Sequence, residues 1–449
     1  MKRLLLASVA MIAASLPVAA ETLSDALASA YVNSGLIEQQ RAVVRAADED
    51  VAQAVATLRP VFGYALDVTY SNPIQGPTDT DASATVSFDW LLYDFGRTDL
   101  DVEAKKELVL AARAALEDVE NTVLLNAARA YLSVRRGFAF VELRENNVRL
   151  LTQQLRATRD RFEVGEVTRT DVSLAEARLA AARSGLAAEQ GQLAVAQEVF
   201  AQVVGRAPGN LAPPPAPPAI PATEAAAKAT ALRENPEIDQ VQHQVRAAEL
   251  SLERVKRLKM PSLNATGGLT IREGLEDSQS LGVRLSGPLY SGGQIPSVVR
   301  QQQARVDQSR AALTSTARSV EQEVGSAYAG LAVAIASIDA AGRQVRAASL
   351  ALEGVREELQ LGARTTLDVL DQENELFDAR TNEVSAVIDR YESIYEILDA
   401  MGVLTVDRLN LGVPVYDPAL NYNAVKSAPG TPFSERSERL DKVMKALGR

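Results

Sequence analysis

The sequence predicts a mostly helical protein that also contributes β-strands to an outer-membrane barrel, built from two structural repeats. Three observations carry this prediction. An internal repeat divides the chain, two long proline-free stretches have helical periodicity, and four short segments alternate apolar with polar or small residues. The hydrophobic fraction of 47% includes only 5% aromatic residues, so alanine, leucine and valine dominate, and alanine and leucine are strong helix formers.

Composition narrows the function. The chain has 449 residues, of which 47 are basic and 58 acidic, and the net charge of −11 argues against nucleic-acid binding. It has no cysteine and one histidine, so disulfides, thiolate metal sites and a cysteine nucleophile are excluded and catalytic bases are scarce. We therefore expect no enzyme, no cofactor and no resident metal. His243, between two glutamines, is expected to be solvated.

Residues 1–20 have the pattern of a secretory signal peptide. Two basic residues precede an apolar run from Leu4 to Pro17, and small residues follow up to Ala20. A membrane anchor is the alternative, but the run is shorter than the ~20 apolar residues that a spanning helix needs. We expect cleavage before Glu21, which places the mature chain outside the cytoplasm. No later stretch is expected to cross a membrane as a helix.

A repeat organises the mature chain. Matching positions lie 197 residues apart with no gap: Tyr93 and Tyr290, Gly96 and Gly293, Ala130-Tyr131 and Ala327-Tyr328, Gly165 and Gly362. We expect a first repeat over 21–207 and a second over 222–411, each ordered as helix, strand, strand, helix, helix. Residues 208–221 hold seven prolines in fourteen positions, which predicts an extended linker. Residues 412–449 are expected to be a polar, partly disordered tail.

Four segments have the alternation of half-buried strands. We expect strands near 61–70, 83–93, 262–271 and 280–290, each about the length of a tilted outer-membrane strand. A soluble sheet with one wet face gives the same alternation. The membrane is favoured because the helices that would have to cover the apolar face are expected to pack against one another. Four strands cannot close a barrel, and open edges are not tolerated in lipid, so several chains must share one barrel.

The helices are expected to be unusually long. Uninterrupted helical patterns run over 98–161 and 297–360, which corresponds to rods of roughly 96 Å. Alanine-rich apolar positions recur every three to four residues, so we expect side-by-side coiled-coil packing. Gly165 and Gly362 end these rods, and returning helices are expected over 170–204 and 366–401. Each half therefore contains a helical hairpin.

The hairpin sequences resemble the two helix-turn signatures of the TolC outer-membrane efflux family. The matching segments are Arg161-Phe162-Glu163-Val164-Gly165 with Asp171-Val172, and Leu361-Gly362-Ala363-Arg364-Thr365-Thr366-Leu367-Asp368-Val369-Leu370-Asp371. The resemblance covers about residues 22–412. It implies a homotrimer whose twelve strands form one outer-membrane barrel and whose helices continue as a tunnel through the periplasm.

The resemblance also implies a function and partners. The duct would serve protein secretion of type I or efflux of small molecules, and the sequence does not fix which cargo it carries. It would open when a periplasmic adaptor and an inner-membrane transporter, either an ABC or a proton-driven one, dock on it. The turns at Gly165 and Gly362 are the implied adaptor contacts.

The same resemblance implies a gate at the periplasmic end. Asp368 and Asp371 match paired acidic rings at a constriction, although an ordinary helix N-terminus also explains Asp368 well. Residues that match a latch between the hairpins are Gln154, Thr170, Asp171 and Arg364. Leu359 departs from the pattern because relatives place a tyrosine in the latch at that position.

Two other interpretations stay open on the sequence alone. A periplasmic or surface structural coiled coil would need neither a barrel nor an acidic constriction. A hydrolase built on the carboxylates of Asp368 and Asp371 would need a second catalytic group, which the sequence does not offer.

Overall fold

The computed structural model describes residues 20–72, 74, 78–272, 276–426 and 442. The expected signal peptide, apart from residue 20, and the tail beyond 426, apart from 442, lie outside the described residues. Contacts divide the chain into two compact units. Unit 1 contains residues up to Ala30, Ala127–Pro217 and Asp339–Ile388, and unit 2 contains Tyr31–Asn126, Pro218–Ile338 and the residues from Asp389. Each unit therefore combines segments of both sequence repeats.

Helices make up most of the described chain. In chain order they are α1 (Leu23–Asn33), α2 (Gly35–Ala56), α3 (Arg97–Glu163), α4 (Arg169–Val204), α5 (Glu224–Glu234), α6 (Pro236–Lys256), α7 (Gln294–Gln360), α8 (Thr366–Ala400), α9 (Val406–Leu409) and α10 (Ala419–Val425). The strands are β1 (Val61–Ser71), β2 (Asp79–Tyr93), β3 (Ser262–Arg272) and β4 (Ser278–Ser286). A 3-10 turn over Arg257–Lys259 follows α6.

The four strands form one antiparallel sheet in unit 2, in the order β1-β2-β3-β4. The last strand ends at Ser286, short of the expected boundary at 290. Pro288 cannot donate a ladder hydrogen bond. Gly287 packs so closely on the neighbouring chain that an added Cβ would lie 2.8 Å from Cα of Pro261. Both features end the pairing there.

The strand register puts the apolar residues of all four strands on one face. Tyr64 pairs with Val86, Val86 pairs with Leu269, and Ala265 pairs with Val283. The other face carries serine, threonine and asparagine side chains, and the hydroxyl oxygens of Thr85 and Thr270 lie 3.1 Å apart across it. On the apolar face most of the large side chains are exposed, from 39% at Trp90 and Leu269 to 86% at Leu281. The described chain itself does not cover this face.

The repeat has two offsets rather than one. Helices α3 and α7 are each 67 residues long and begin 197 residues apart, at Arg97 and Gln294. Strands β1 and β3, however, begin at Val61 and Ser262, which is a separation of 201. The register of 197 residues expected from the sequence thus holds over the long helices but not at the first strands. The second half is shorter by four residues between the start of its first strand and the start of its long helix.

Each half begins with two helices rather than the single helix expected. In the first half the Ser34 side chain caps α2 by accepting a hydrogen bond from the Ile37 N–H. In the second half Asn235 caps α6, and Pro236 occupies the first helical turn, where its missing N–H has no helical partner to lose. A capping residue inside an otherwise helical stretch therefore starts a new helix in both halves.

Helix α7 differs from the expectation that no segment of the mature chain is long and apolar enough to cross a membrane. It contains a stretch with a mean hydropathy of 1.5 that meets this description, and 22% of that stretch is buried within the chain. Residues 327–341 of α7 are rich in alanine. Alanine raises the hydropathy, but it also allows helix backbones to approach closely, so the composition suits helix packing.

The beginning of the C-terminal tail is built into unit 2. Asn421 of α10 donates a hydrogen bond of 2.8 Å to the carboxylate of Asp48 in α2, and both side chains are buried. The guanidinium of Arg113 in α3 lies 5.4 Å from the ring centroid of Tyr422 and 3.9 Å from Asp48. The segment up to residue 426 is therefore anchored on α2 and α3.

Candidate functional site

The helical hairpins of unit 1 end in two turns with the same backbone geometry. Gly165 and Gly362 have φ angles of 80° and 76°, a left-handed conformation that side chains with a Cβ rarely adopt. In each turn the glycine N–H and the next N–H donate back to carbonyls of the last helical turn. This pattern satisfies the free carbonyls at the ends of α3 and α7.

A capping box opens the returning helix after each turn. The carboxylate of Asp171 accepts from the Thr168 N–H at 2.8 Å, and the Thr168 hydroxyl accepts from the Asp171 N–H at 3.3 Å. Thr365 and Asp368 form the same pair of bonds with the same distances. The two repeats thus place an aspartate at one structural position, at the third residue of the helix.

The Asp368 carboxylate is held in its ionised form. Hydrogen bonds from the backbone and the hydroxyl of Thr365 lower its pKa, and the positive charge of Arg364 lowers it further. A carboxylate that accepts hydrogen bonds at a helix N-terminus stays charged at neutral pH. The side chain is not buried, so this charge faces solvent in the chain.

Asp371 is in a different environment, one turn further along α8. Its carboxylate lies 2.7 Å from a guanidinium nitrogen of Arg178, which belongs to α4 of the other hairpin. The side chains are 57% and 42% exposed. The two acids of the predicted gate therefore have different partners, one within its own turn and one across the hairpins.

The predicted latch residues lie near the hairpin ends, but their hydrogen bonds and ion pairs are made within one hairpin in the described chain. Arg364 pairs with Glu358 at 2.7 Å, and Asp171 is bound to Thr168. At Gln154 it is the main-chain carbonyl that is bound, by the Thr158 hydroxyl. Of the remaining two residues, Thr170 is exposed and Leu359 is partly exposed.

One cleft brings part of the predicted site together. It has a volume of about 480 Å³ and lies between the two turns of unit 1. Its walls include Asp171, Leu359, Gly362 and Arg364, together with Arg161 and Glu166. The lining does not include Gln154, Gly165, Thr170, Asp368 and Asp371. The cleft is therefore lined by three of the predicted latch residues, Asp171, Leu359 and Arg364, and not by the acidic pair.

Sequence reasoning missed Arg178 and Glu358, which bind Asp371 and Arg364. Arg178 lies two helical turns after Asp171, and this spacing places it on the same face of α4. That periodicity was the available signal for Arg178. Glu358 binds across the turn, and no periodic pattern marks such a contact.

The described residues contain no group of three or more histidine, aspartate or glutamate side chains arranged to hold a metal ion. His243 is not freely solvated, contrary to the expectation. Its Nδ1 lies 2.7 Å from a Glu107 oxygen and its Nε2 lies 3.7 Å from Asp239, with a quarter of the side chain exposed. The histidine therefore joins α6 to α3 in unit 2.

Comparison with known proteins identifies the family. Residues 26–206 and 229–403 match the family described as outer membrane efflux protein. Because these ranges span most of the chain, the chain belongs to that family. It is 33% identical over 413 residues to the outer membrane efflux protein BepC of Brucella suis biovar 1 (strain 1330), covering 90% of this chain and 91% of that protein.

Two further comparisons extend this result. The chain is 26% identical over 448 residues to the outer membrane protein TolC of Escherichia coli (strain K12), covering 92% of this chain and 88% of that protein. The crystal structure of the Campylobacter jejuni CmeC outer membrane channel superposes with a TM-score of 0.77 at 15% identity, covering 91% of this chain and 89% of that chain. Because its identity is low, the comparison with the CmeC structure supports the fold alone.

The predicted fold class, function class and location are confirmed by these matches. The chain is an outer-membrane channel protein of the efflux and secretion type, with helices that extend into the periplasm. The alternative of a structural coiled coil without a pore is wrong. The family and its structural neighbours are channels rather than enzymes.

Proposed function

We propose that three copies of this chain form one exit duct, whose periplasmic end is gated at the two hairpins. The duct performs no chemistry of its own. An adaptor and an inner-membrane transporter, of the ABC or the proton-driven kind, dock on the hairpins and open it. The sheet of unit 2 is the observation that carries the assembly, and the hairpin ends of unit 1 support the gate.

The exposed apolar face of the sheet supports a shared barrel. β1 and β4 are the edges of the sheet in the described chain, and each has one unpaired side. Open edges are not stable in lipid, whereas β4 of one copy can pair with β1 of the next. Three copies then give twelve strands, with the apolar face towards lipid and the serine and threonine face towards the lumen.

Exposed apolar residues on α7 support helix packing between copies. Val333, Ile335 and Leu350 are 66%, 53% and 72% exposed in the single chain. A helix that exposes apolar side chains along its length needs another helix to cover them. In a trimer the helices of neighbouring copies supply this cover and enclose the tunnel.

The hairpin tips suit docking of an adaptor. Val164 precedes Gly165 and is 71% exposed, and Leu361 precedes Gly362 and is 84% exposed. These two positions are equivalent in the repeat, so each copy presents two similar apolar tips. Small apolar knobs on rigid turns are suited to insertion into grooves of a partner protein.

The acidic pair and the latch region support the gate. Three copies would place six carboxylates, from Asp368 and Asp371, near one narrow mouth, where they attract cations. The cleft around Arg364 and Asp171 lies beside it. Exposed ion pairs contribute only ~0 to 1 kcal/mol each, and such weak bonds can open when a partner docks.

Expression in a Gram-negative host tests the assembly. We expect a trimer that is extracted only with detergent. On a gel, heating should convert the trimer band into a monomer band of different mobility. Planar-bilayer recordings should give a low resting conductance that is cation-selective. A soluble monomer after signal-peptide removal would contradict the proposal. Crosslinking in cells, with probes at Val164 and Leu361, should capture the adaptor.

A further inference from the structure

The ion pair between Arg178 and Asp371 joins the two hairpins at a fixed point. Leu179 and Leu370, the chain neighbours of the two charged residues, are 5% and 3% exposed and lie in the same hydrophobic cluster. This cluster also contains Leu151 of α3. Because buried side chains on both helices set the register of α4 against α8, the guanidinium and the carboxylate are held opposite each other.

A second contact between the hairpins lies one to two turns above the pair. The guanidinium of Arg144 in α3 lies 4.3 Å from the ring centroid of Phe377 in α8, which is buried. Arg144 also lies 3.5 Å from Glu189 of its own hairpin. Helix α8 thus contacts the first hairpin at the Arg178–Asp371 pair and again at Phe377.

The two acids of the proposed gate consequently carry different effective charge. The Asp368 carboxylate is bound to its own turn through neutral donors of Thr365. The nearby Arg364 has its own acidic partner, Glu358. Asp371 has a full positive charge at 2.7 Å. At that separation, a passing ion encounters the pair as a dipole rather than as a net negative charge.

We infer that Arg178 is a selectivity-determining residue of the channel entrance, which binds Asp371 and cancels its charge. The negative charge of the mouth is then carried by Asp368. This inference rests on the proposed gate and deepens it, because it assigns unequal roles to the two acids and adds a basic residue to the site.

Reversal potentials of trimers in planar bilayers under a KCl gradient test the inference. Arg178→Gln should raise the cation-to-anion permeability ratio by about twofold or more, because it frees the Asp371 charge at the constriction. Asp371→Asn should lower the ratio, because it leaves Arg178 without its partner. The variant that carries both substitutions removes no net charge and should return to the wild-type ratio. Arg178→Lys should stay close to wild type.

A remote ion pair provides the matched control. Arg343 pairs with Asp339 at 2.8 Å on α7, and both side chains are about two-thirds exposed. Arg343 lies 19 residues before Gly362, which corresponds to roughly 30 Å of helix. Since selectivity is set at the narrowest point, Arg343→Gln should leave the permeability ratio unchanged. Heat-dependent migration of each variant checks that its trimer has formed.

The outcomes separate this inference from the gate itself. If Asp368→Asn lowers the ratio but neither Arg178→Gln nor Asp371→Asn changes it, the gate stands and the role of Arg178 is refuted. If Asp368→Asn and Asp371→Asn both leave the ratio unchanged, the gate is misplaced and the inference fails with it. If Arg178→Gln prevents assembly, Asp371→Asn still decides, because the inference requires it to lower the ratio.

Discussion

Tyr131 and Tyr328 occupy equivalent positions in the two repeats, and each donates its hydroxyl hydrogen to a carbonyl of the proline-rich linker. In unit 1 Tyr131 binds the Ala212 carbonyl at 2.6 Å, and in unit 2 Tyr328 binds the Pro221 carbonyl at 2.8 Å. Prolines have no N–H, so a linker with seven of them cannot form a continuous ladder. Asn210 and Ala212 make single backbone hydrogen bonds with Glu21, and the carbonyls of Ala212 and Pro221 are bound by side chains. The repeated tyrosine supplies the side-chain donor at two places along the linker.

The first prediction follows from the burial of Tyr131. Its side chain is fully buried, and burial raises the pKa of its hydroxyl to about 12, so the group remains a donor. Tyr131→Phe leaves the Ala212 carbonyl without this donor, which we expect to cost ~1 to 3 kcal/mol. The temperature at which the trimer dissociates in detergent measures the loss. Tyr328 is only partly buried, so Tyr328→Phe should lower this temperature less.

The second prediction tests the two faces of the sheet. Leu66 is on the exposed apolar face of β1, and Asp67 is the next residue, on the opposite face. A lipid-facing arginine near the bilayer centre costs ~2 to 4 kcal/mol, so Leu66→Arg should reduce trimer formation and outer-membrane insertion. Asp67→Arg, in the lumen, should assemble. Membrane fractionation with heat-modified gels measures both.

Strand β4 offers a parallel comparison. Val283 is on the apolar face, and its neighbour Arg284 already places an arginine on the other face. Val283→Arg should fail to assemble for the same reason as Leu66→Arg. Normal assembly of both apolar-face variants would show that lipid contacts the opposite face.

The third prediction concerns pH. Burial raises the pKa of Asp48 above its ordinary value of 3.8, although the hydrogen bond from Asn421 and the charge of Arg113 act in the opposite direction. Because the folded pKa is the higher one, this group contributes most to stability below 3.8, and the contribution is lost as the pH rises through the folded value. Asp48→Asn keeps an acceptor for Asn421 and removes the titration.

Trimer dissociation temperatures between about pH 4 and pH 7 check this sign. The stability of Asp48→Asn relative to the wild type should increase as the pH rises. A relative stability that increases as the pH falls would mean that Arg113 dominates and that the pKa of Asp48 is lowered. Asp48→Ala should weaken the attachment of α10 at every pH, because Asn421 then loses its acceptor.

The sequence was sufficient to predict local features with a short period. The faces of the sheet follow from a two-residue alternation, and Tyr64, Val86 and Leu269 lie where that alternation puts them. The position of Asp368 in the first turn of α8 also followed from the sequence, because a glycine and a threonine precede it.

Contacts between distant segments could not be predicted in the same way. Arg178 and Asp371 are 193 residues apart, and their contact depends on how α4 and α8 are aligned by buried leucines. The second offset of the repeat was missed because the matching positions all lie from Tyr93 onward, whereas the length difference lies within the strand hairpins. The end of β4 was placed four residues too late: Pro288 was a visible signal, but the close packing of Gly287 on Pro261 is not visible in the sequence.

The fourth prediction separates a gate from an ordinary helix cap. Asp171 and Asp368 form the same capping box with the same distances, so Asp171→Ala and Asp368→Ala should lose a similar helix-capping contribution. If Asp368 only caps a helix, the two variants should have the same phenotype. If it also lines the constriction, only Asp368→Ala should lower cation selectivity in planar bilayers.

Block by multivalent cations gives a second measurement on the same variants. Carboxylates from three copies around a narrow mouth can bind one multivalent cation together, and this block should weaken when Asp368 and Asp371 are both replaced by alanine. Asp171→Ala should be blocked as the wild type is, because Asp171 is not one of the two acids proposed to line the constriction. Arg364→Ser should raise the resting conductance, since Arg364 lines the cleft between the turns and its bond to Glu358 would be lost. Equal block of all these variants would assign the acidic constriction to other residues and leave Asp368 as a helix cap.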